Sequence, residues 1–329
     1  MPALATAPPI GITLGDPSGV GPQLVVDAIV NADPDLRRRL VVFGHEQVLQ
    51  RAGASVFARG LPRDVTVVSP GALAVDSVPV GSPTREGAQA QVDYLEEAVR
   101  VAATGAVGAL VTAPISKSQV RKVGWPFPGH TEFLAARLGG GPVVMMFVGP
   151  KLKVALATVH IPLADVSDTF TAERLRDVLT VTVDAARRHF QLPHPRIGVV
   201  GVNPHAGEAG LLGRQEQEVI SPVLDRCAQE LAPCELIGPL VPDAAFRDAA
   251  NGRYDIVVAA YHDQGLIPVK LIDFEESVNV TLGLPIIRTS PDHGVAYDIA
   301  GSPEVRTTSF RAALRLAVAL TDRATLPNG

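Results

Sequence analysis

The chain has 329 residues, of which 47% are hydrophobic and 19% are charged, and its formal net charge is -5. Scattered Lys and Arg and an aromatic content of only 5% exclude a basic, stacking surface for nucleic acid. No apolar run approaches the roughly 20 residues of a membrane span, and the only two cysteines, Cys227 and Cys234, fit a reducing compartment. We therefore expect a cytoplasmic protein that binds neither nucleic acid nor membrane.

In chain order, a short strand at residues 10–14 leads through a glycine-rich turn at 15–22 into a helix at 23–30. That turn either touches a substrate or cofactor or is simply a tight turn. The remaining predicted strands lie at 40–43, 106–112, 143–148, 154–159, 197–202, 254–260, 278–280 and 285–288, and the main helices at 84–104, 172–190, 213–230 and 310–322. This alternation predicts an α/β protein with mostly parallel sheets.

Three histidines follow predicted strands and are flanked by polar or turn residues: His160, His205 and His262. Open α/β sheets place their ligands at the carboxyl ends of strands, and neutral imidazole binds Zn²⁺ and similar ions. The pattern indicates a shared divalent metal site, although each residue alone could be a hydrogen-bonded loop histidine. Asp243 is a candidate fourth ligand, an orienting carboxylate, or only the N-cap of a helix.

Five residues are candidates for binding an anionic substrate. His130 and Thr131 begin a predicted helix, with Thr131 as its N-cap, and a helix N-terminus favours anions. Lys270, Asn279 and Arg288 follow one another at intervals of nine residues. Lys and Arg suit phosphate and carboxylate, although each of these residues could instead be a solvated surface side chain.

Two further segments carry specific expectations. The loop at 290–301 is rich in Gly, Asp and His, so it either contacts a nucleotide or forms a structural turn. Between His262 and Lys270, Gly265 and Pro268 predict that the chain turns rather than continuing as a helix.

Six segments carry a resemblance to a known family, in order along the whole chain: GITLGDPSGVGP at 11–22, TAPISK at 112–117, GHTE at 129–132, NPHAGE at 203–208, YHDQG at 261–265 and SPDHG at 290–294. Together they closely resemble the PdxA family of 4-hydroxythreonine-4-phosphate dehydrogenases of vitamin B6 synthesis. The loop that ends at Asp298–Gly301 is also similar to the cofactor loop of isocitrate and isopropylmalate dehydrogenases.

The resemblance implies two α/β/α domains of the isocitrate dehydrogenase type, with the active site in the interdomain cleft at a homodimer interface. It implies that His160, His205 and His262 bind a divalent metal (Zn, Mg or Co), with some ligands from the partner subunit. His130, Thr131, Lys270, Asn279 and Arg288 match substrate-binding positions. The loop residues Asp292, His293, Gly294 and Asp298 are the expected contacts of NAD or NADP, on a discontinuous domain of residues 1–122 and 281–329, with metal, substrate and dimerisation on 123–280.

The implied reaction is the NAD(P)-dependent oxidation of 4-phosphohydroxy-L-threonine, followed by decarboxylation to 3-amino-2-oxopropyl phosphate. Lys270 and Asp243 are candidates for the base. The same metal ligands would serve a dehydrogenase of a related acid, such as 4-phospho-erythronate, 4-phospho-threonate or a dihydrodiol acid. The same residues are also compatible with a metal-dependent phosphohydrolase or lyase, or with a non-catalytic binding protein.

Overall fold

The computed structural model describes residues 7–58 and 60–324. The chain divides into two compact units, of which the first comprises residues up to Gly139 and from Leu284 onward, and the second runs from Gly140 to Gly283. The sequence places the domain boundaries at 122/123 and 280/281 and gives the domains separate roles in binding and dimerisation. That assignment of boundaries and roles stays a prediction.

The strands and α-helices of the described residues follow one another along the chain. They are β1 (Ile10–Thr13), α1 (Gly21–Asn31), α2 (Pro34–Arg39), β2 (Leu40–Phe43), α3 (Glu46–Ala52), β3 (Thr66–Val68), α4 (Arg85–Ala103), β4 (Ala109–Thr112), α5 (Lys117–Lys122), α6 (His130–Leu138), β5 (Val144–Val148), β6 (Lys153–Leu156), α7 (Val166–Thr169), α8 (Ala172–Arg188), β7 (Arg196–Val200), α9 (Ser221–Glu230), β8 (Glu235–Leu240), α10 (Pro242–Ala250), β9 (Ile256–Ala259), α11 (His262–Ile272), β10 (Val278–Leu282), β11 (Ile287–Ser290) and α12 (Thr308–Ala324).

The first unit contains five strands in the order β3-β2-β1-β4-β11, and every neighbouring pair is parallel. Every residue of β1, β4 and β11 is buried, which is typical of a parallel sheet covered on both faces. Helix α4 packs against β1, β2 and β4, and α12 packs against β4 and β11. The predicted α/β fold with mostly parallel strands is confirmed.

Helix α4 illustrates how the sequence specifies this packing. The helix predicted over 84–104 spans Arg85–Ala103, and the Thr84 hydroxyl accepts a hydrogen bond from the Gly87 amide at 3.1 Å. Such an N-cap is worth about 1 kcal/mol. Tyr94, Leu95 and Ala98 form part of the buried stripe that faces the sheet. No helix in the described ranges is long and apolar enough to cross a membrane.

The second unit contains six strands in the order β10-β5-β6-β9-β7-β8. The pairs β10/β5 and β5/β6 are antiparallel, whereas β6/β9, β9/β7 and β7/β8 are parallel. Apolar side chains from β6 and β9 pack against α10 and α11, including Leu156, Val257, Phe246 and Val269. The carboxyl ends of β6, β9 and β7 therefore lie at one edge of this sheet.

Strand β8 was not expected from the sequence. Its segment contains Gly238 and Pro239, two residues that disfavour strands. The strand forms because it lies at the edge of the sheet and pairs only with β7, where a proline that cannot donate a hydrogen bond is tolerated.

The predicted turn between His262 and Lys270 is wrong, because both residues belong to the continuous helix α11, with Pro268 inside it. Gly265 allows α11 to approach β6 closely: a β-carbon there would lie 2.6 Å from Leu156 Cδ2. This packing outweighs the low helix propensity of glycine and proline. Eight residues of helix separate the two Cα atoms by about 12 Å along the axis.

Candidate functional site

Two imidazoles meet at the carboxyl ends of β6 and β9. Leu156 and Ala259, the last residues of these parallel strands, are partners in register. His160 follows four residues after β6, and His262 opens α11 after β9. The structure brings their rings together, with centroids 5.4 Å apart and planes inclined by 41°.

A cleft with a volume of about 410 Å³ opens beside these two histidines. Its lining combines imidazole, carboxylate, phenol and apolar side chains from the loop after β6 and the start of α11. The lining residues are Thr158, Val159, His160, Ile161, Leu163, Val166, Tyr261, His262 and Asp263. The cleft provides room for a small ligand at the imidazole pair.

Carboxylates hold two of the three predicted metal ligands through the same ring nitrogen. Nδ1 of His262 lies 2.6 Å from Asp263 Oδ1, and Nδ1 of His205 lies 2.9 Å from Glu208 Oε2. A ligating histidine commonly donates its second ring N–H to a carboxylate, which fixes the tautomer. This arrangement makes Nε2 of both rings the nitrogen available to a metal.

His205 lies on an unusual stretch of backbone. Five consecutive residues, His205 to Ala209, have positive φ values of 50°, 52°, 80°, 44° and 54°. The left-handed region costs roughly 1–2 kcal/mol for each residue other than glycine, so other contacts must stabilise this segment. The segment presents a His205 side chain that is 72% exposed.

The buried carboxylate of Glu216 supplies such contacts. Its two oxygens accept hydrogen bonds from the Asn203 backbone N–H at 2.8 Å and from Asn203 Nδ2 at 3.0 Å. Gly207 approaches the same carboxylate so closely that a β-carbon there would lie 2.5 Å from Oε2. Glu216 therefore fixes the base of the segment that carries His205.

The donor chemistry of the His160–His262 pair fits a divalent metal in part. Metal–nitrogen bonds of about 2.0–2.1 Å in a tetrahedral site place two ligating rings with centroids roughly 5 Å apart, as here. Among the described residues, no group of three or more His, Cys, Asp and Glu side chains could hold a metal. His205 and the exposed Asp243 thus do not join the pair within one chain.

The first unit carries a buried cation, Arg288, on β11. Its side chain donates to Thr112 Oγ1 from Nε at 3.1 Å and from Nη2 at 2.7 Å. Burial lowers the pKa of the Arg288 guanidinium to about 10. The group therefore remains charged at neutral pH in surroundings that favour a bound anion.

His130 and Lys117 surround the same position. Burial, then the charges of Arg288 and Lys117, lower the pKa of His130 well below its usual value of 6.5. His130 is therefore neutral, and its buried Nε2 has no hydrogen-bond partner. Lys117 lies beside Gly129, where a β-carbon would come within 3.7 Å of its ammonium nitrogen. An anion could accept a hydrogen bond from His130 Nε2 and would be attracted by the charges of Arg288 and Lys117.

The remaining predicted substrate residues lie on regular elements. Thr131 is the second residue of α6, whose N-cap is Gly129, so the predicted N-cap role of Thr131 is wrong. Asn279 lies on β10, and its buried Oδ1 has no hydrogen-bond partner. The Lys270 ammonium lies over the Phe274 ring, 5.3 Å from its centroid. Substrate contacts of these three residues stay predictions.

The predicted cofactor residues lie on the loop between β11 and α12. His293, Gly294 and Asp298 are exposed and Asp292 is half-buried. Nδ1 of His293 lies 3.0 Å from the Gly294 carbonyl oxygen. Three of the four predicted cofactor residues are therefore accessible to a ligand.

Three side chains that the sequence analysis did not single out contribute to these arrangements. Lys117 follows the end of β4, so its position after a strand was the signal that could have identified it. Asp263 and Glu208 are each within three residues of a predicted metal ligand. Their role depends on the hydrogen bonds to Nδ1, which no local pattern predicts.

The fold and these side chains define a class of protein: an α/β enzyme with polar groups at the carboxyl ends of its parallel strands. The family model described as pyridoxal phosphate biosynthetic protein PdxA matches residues 35–317. The chain belongs to the PdxA family.

Individual relatives cover almost the whole chain. The 4-hydroxythreonine-4-phosphate dehydrogenase of Paracoccus denitrificans is 42% identical over 95% of this chain and 98% of its own length. The crystal structure of the Klebsiella pneumoniae enzyme of the same name has a TM-score of 0.85 and 35% identity, covering 95% of this chain and 99% of that one. A terephthalate 1,2-cis-dihydrodiol dehydrogenase from Burkholderia xenovorans has a TM-score of 0.68 and 28% identity, covering 94% and 97%.

Proposed function

We propose that this chain is a 4-hydroxythreonine-4-phosphate dehydrogenase of pyridoxal phosphate biosynthesis. It oxidises 4-phosphohydroxy-L-threonine with NAD or NADP, and the oxo acid then loses CO2 to give 3-amino-2-oxopropyl phosphate. The observation that carries the proposal is the His160–His262 pair at a cleft, in a chain that matches this family over nearly its full length. We place the enzyme in the cytoplasm, where its two free cysteines would remain reduced.

A divalent metal such as Zn, Co or Mg would be held by His160, His262 and His205. Imidazole ligands suit Zn and Co better than Mg, and Asp263 and Glu208 would keep Nε2 available. When bound, the metal polarises the substrate hydroxyl and the carbonyl formed from it. The protein contributes the orientation of the rings, which the two carboxylates and the Glu216 contacts fix before any ligand binds.

The phosphate or the carboxylate of the substrate would bind at Arg288 and His130. The neutral His130 ring can donate a hydrogen bond from Nε2, and Arg288 supplies the charge in a buried position where it is weakly screened. Lys117 adds a second charge nearby. Thr131, Lys270 and Asn279 complete the proposed binding set, and their contacts would fix which end of the substrate faces the reacting centre.

The chemistry requires a hydride acceptor and a base. A bound nicotinamide would supply the acceptor for the hydride of the carbinol carbon, and the hydroxyl proton would pass to a base, for which Lys270 and the exposed Asp243 are the candidates. The carbon–carbon bond to the carboxylate then breaks, and the electron pair left behind takes up a proton. Asp292, His293, Gly294 and Asp298 are the proposed contacts of the dinucleotide.

The second unit supports assembly into a homodimer. Large apolar side chains are exposed beside the histidine segments, among them Leu211 at 83% and Leu271 at 80%. Exposed apolar side chains of this kind can form an interaction surface with another protein. A second copy of the chain would cover these side chains and could bring its own His205 to the imidazole pair, completing a ligand set that the described residues of one chain do not gather.

A related substrate is the second candidate function. The likeness to a dihydrodiol dehydrogenase shows that this fold serves other acids in that protein. We favour the phosphorylated hydroxy amino acid because the charges of Arg288 and Lys117 both act at the neutral His130 ring, where they would attract an anionic group. 4-Phospho-erythronate and 4-phospho-threonate, which carry the same two anionic groups, are the comparison substrates.

The test is a substrate panel with the full-length protein. Each phosphorylated acid is incubated with NAD or NADP and with Zn, Co or Mg, while the absorbance of the reduced nicotinamide and the release of CO2 are followed. We expect reduction and CO2 release with 4-phosphohydroxy-L-threonine. Release of phosphate without reduction of the nicotinamide would show that the protein is a phosphohydrolase instead. Release of CO2 without reduction of the nicotinamide would show that it is a lyase.

A further inference from the structure

The glycine-rich turn between β1 and α1 is the docking surface for the loop that carries the proposed cofactor residues. The Val20 amide donates a hydrogen bond to the Val295 carbonyl oxygen at 2.9 Å. Gly19 permits this approach, because a β-carbon there would lie 2.7 Å from the same oxygen. Gln23 Oε1 accepts from the Gly301 amide at 2.7 Å. The turn therefore contacts the loop near its middle, and the first turn of α1 contacts it near its end.

A buried carboxylate, Asp16, connects the turn to the loop through a side chain. Asp16 is only 1% exposed. Its Oδ1 accepts from the Ser18 amide at 2.9 Å, and its Oδ2 accepts from Gln91 Nε2 at 2.7 Å and from the Tyr297 hydroxyl at 2.5 Å. Tyr297 stands in the same loop as the proposed cofactor residues, one residue before Asp298.

The same network reaches two more elements of the first unit. Gln91, which is fully buried on α4, donates to Asp16 and accepts from the Ser116 amide at 2.7 Å. Ser116 precedes α5. The Tyr297 hydroxyl therefore donates to a carboxylate that is itself held by Gln91 of α4. Gln91 is in turn held by the backbone before α5.

We infer that Asp16 is a positioning residue that acts through Tyr297, holding the loop at 291–302 in the conformation that receives the dinucleotide. The inference rests on the proposed function in taking the ligand of this loop to be NAD or NADP. It deepens that function by giving the turn at 15–22 a role as a clamp for the loop rather than as a phosphate cradle. The carboxylate has no free oxygen for a ligand, since both oxygens accept hydrogen bonds from the protein.

The chemistry of the clamp requires a carboxylate. Three donors point at Asp16, and a carboxylate can accept from all of them, whereas an asparagine amide nitrogen would face a donor in either orientation. Asp16→Asn should therefore disturb the clamp although it preserves side-chain size. Tyr297→Phe removes only the hydroxyl and leaves the packing of the ring, so it is the milder variant.

The experiment compares wild type with Tyr297→Phe, Asp16→Asn and the double variant, and uses Tyr254→Phe as the control. Tyr254 is a buried tyrosine of the second unit that lies outside the proposed site. Calorimetry gives the Kd of NAD and of NADP for each full-length protein, and hydrogen exchange of segment 291–302 is measured without ligand. Steady-state assays then separate KM for the dinucleotide from kcat.

We expect Tyr297→Phe to raise the dinucleotide Kd and KM roughly tenfold, with kcat changed less than about threefold and faster exchange in segment 291–302. The double variant should bind the dinucleotide no more weakly than Asp16→Asn alone, because both substitutions disrupt the same hydrogen bond between Tyr297 and Asp16. If Asp16→Asn fails to fold, the comparison of Tyr297→Phe with the control Tyr254→Phe still tests whether the hydrogen bond positions the loop. Unchanged Kd, or additive losses in the double variant, would overturn the inference.

Failure of the proposed function would look different. If wild type binds neither NAD nor NADP, the cofactor assignment fails together with the role inferred for Asp16. Faster exchange in Tyr297→Phe would still establish in that case that the contact orders the loop. If wild type binds the dinucleotide and Tyr297→Phe binds it equally well, the proposed function stands and only the positioning role is lost.

Discussion

His160 lies in the loop after β6 and His262 begins helix α11 after β9, yet their rings lie 5.4 Å apart between centroids. The contact arises because β6 and β9 are parallel neighbours in register, so their carboxyl ends coincide. Asp263 fixes one ring through Nδ1. The pair is therefore preorganised by the sheet, and each ring can be tested as a metal ligand.

Replacing His262 with Ala should remove the metal. Removal of an outer-shell partner lowers metal affinity by roughly 10- to 100-fold, so loss of a ligand should lower it by at least that factor, with a comparable loss of activity. Metal content after gel filtration and titration against a chromophoric chelator measure the effect. His194→Ala, at an exposed loop histidine, is the matched control, and equal metal content in both variants would remove His262 from the ligand set.

Glu208→Gln should weaken metal binding without changing the ligands themselves. The carboxylate lies 2.9 Å from His205 Nδ1, and glutamine offers a weaker partner that does not enforce the tautomer, so the metal Kd should rise roughly 10-fold. Co²⁺ titration followed by its visible absorption provides the measurement. Glu218→Gln, at an exposed glutamate paired with Arg214, should bind Co²⁺ like wild type; identical titrations of the two variants would exclude a role for Glu208.

The sequence predicted the α/β fold and the strand ends because buried parallel strands leave a strong local signal. It did not predict helix α11 across Gly265 and Pro268, since the packing of that helix on β6 outweighs local propensity. The contact between Asp16 and Tyr297 joins distant parts of the chain and has no local signature. The left-handed segment at His205 depends on Glu216, which follows it in the sequence and is likewise invisible to propensity.

Replacing Arg288 with Met should lower kcat/KM strongly while leaving the fold at least as stable. A buried cation is costly to desolvate, and an apolar side chain of similar length can be neutral or stabilising. Loss of its contact with an anionic substrate should cost about 2–5 kcal/mol, or roughly 30- to 4,000-fold in kcat/KM. Inorganic phosphate should raise the Tm of wild type but not of Arg288→Met.

The exposed Arg253→Lys provides the control for Arg288. This variant should keep both activity and the stabilisation by phosphate. If phosphate stabilises Arg288→Met as much as wild type, the anion binds elsewhere.

His130 should make stability depend on pH. Its pKa is lowered in the folded state, chiefly by burial and then by Arg288 and Lys117, so the unfolded chain binds the proton more readily. The contribution of His130 is therefore present above the unfolded pKa of about 6.5 and declines as the pH falls below it, by at most about 1.4 kcal/mol per pH unit.

Urea unfolding of wild type and His130→Gln measures this effect between about pH 7.5 and about pH 5. These limits lie about one unit above and about 1.5 units below the ordinary histidine pKa. Wild type should lose stability more steeply than the variant as the pH falls. His194→Gln should follow wild type, because that histidine is exposed. Parallel curves for wild type and His130→Gln would mean that folding does not lower the pKa of His130.

Substituting Leu271 with Asp should weaken the proposed dimer and the metal site together. Leu271 is 80% exposed at the end of the helix that begins with His262, and a charge in an apolar interface is costly. Sedimentation equilibrium should show a dissociation constant raised at least roughly 100-fold, and bound metal should fall as dimer is lost if a second chain supplies the third imidazole. Val56→Asp, at an exposed apolar residue of the first unit, should leave both unchanged. A Leu271→Asp monomer that retains full metal content would show that one chain completes the site alone.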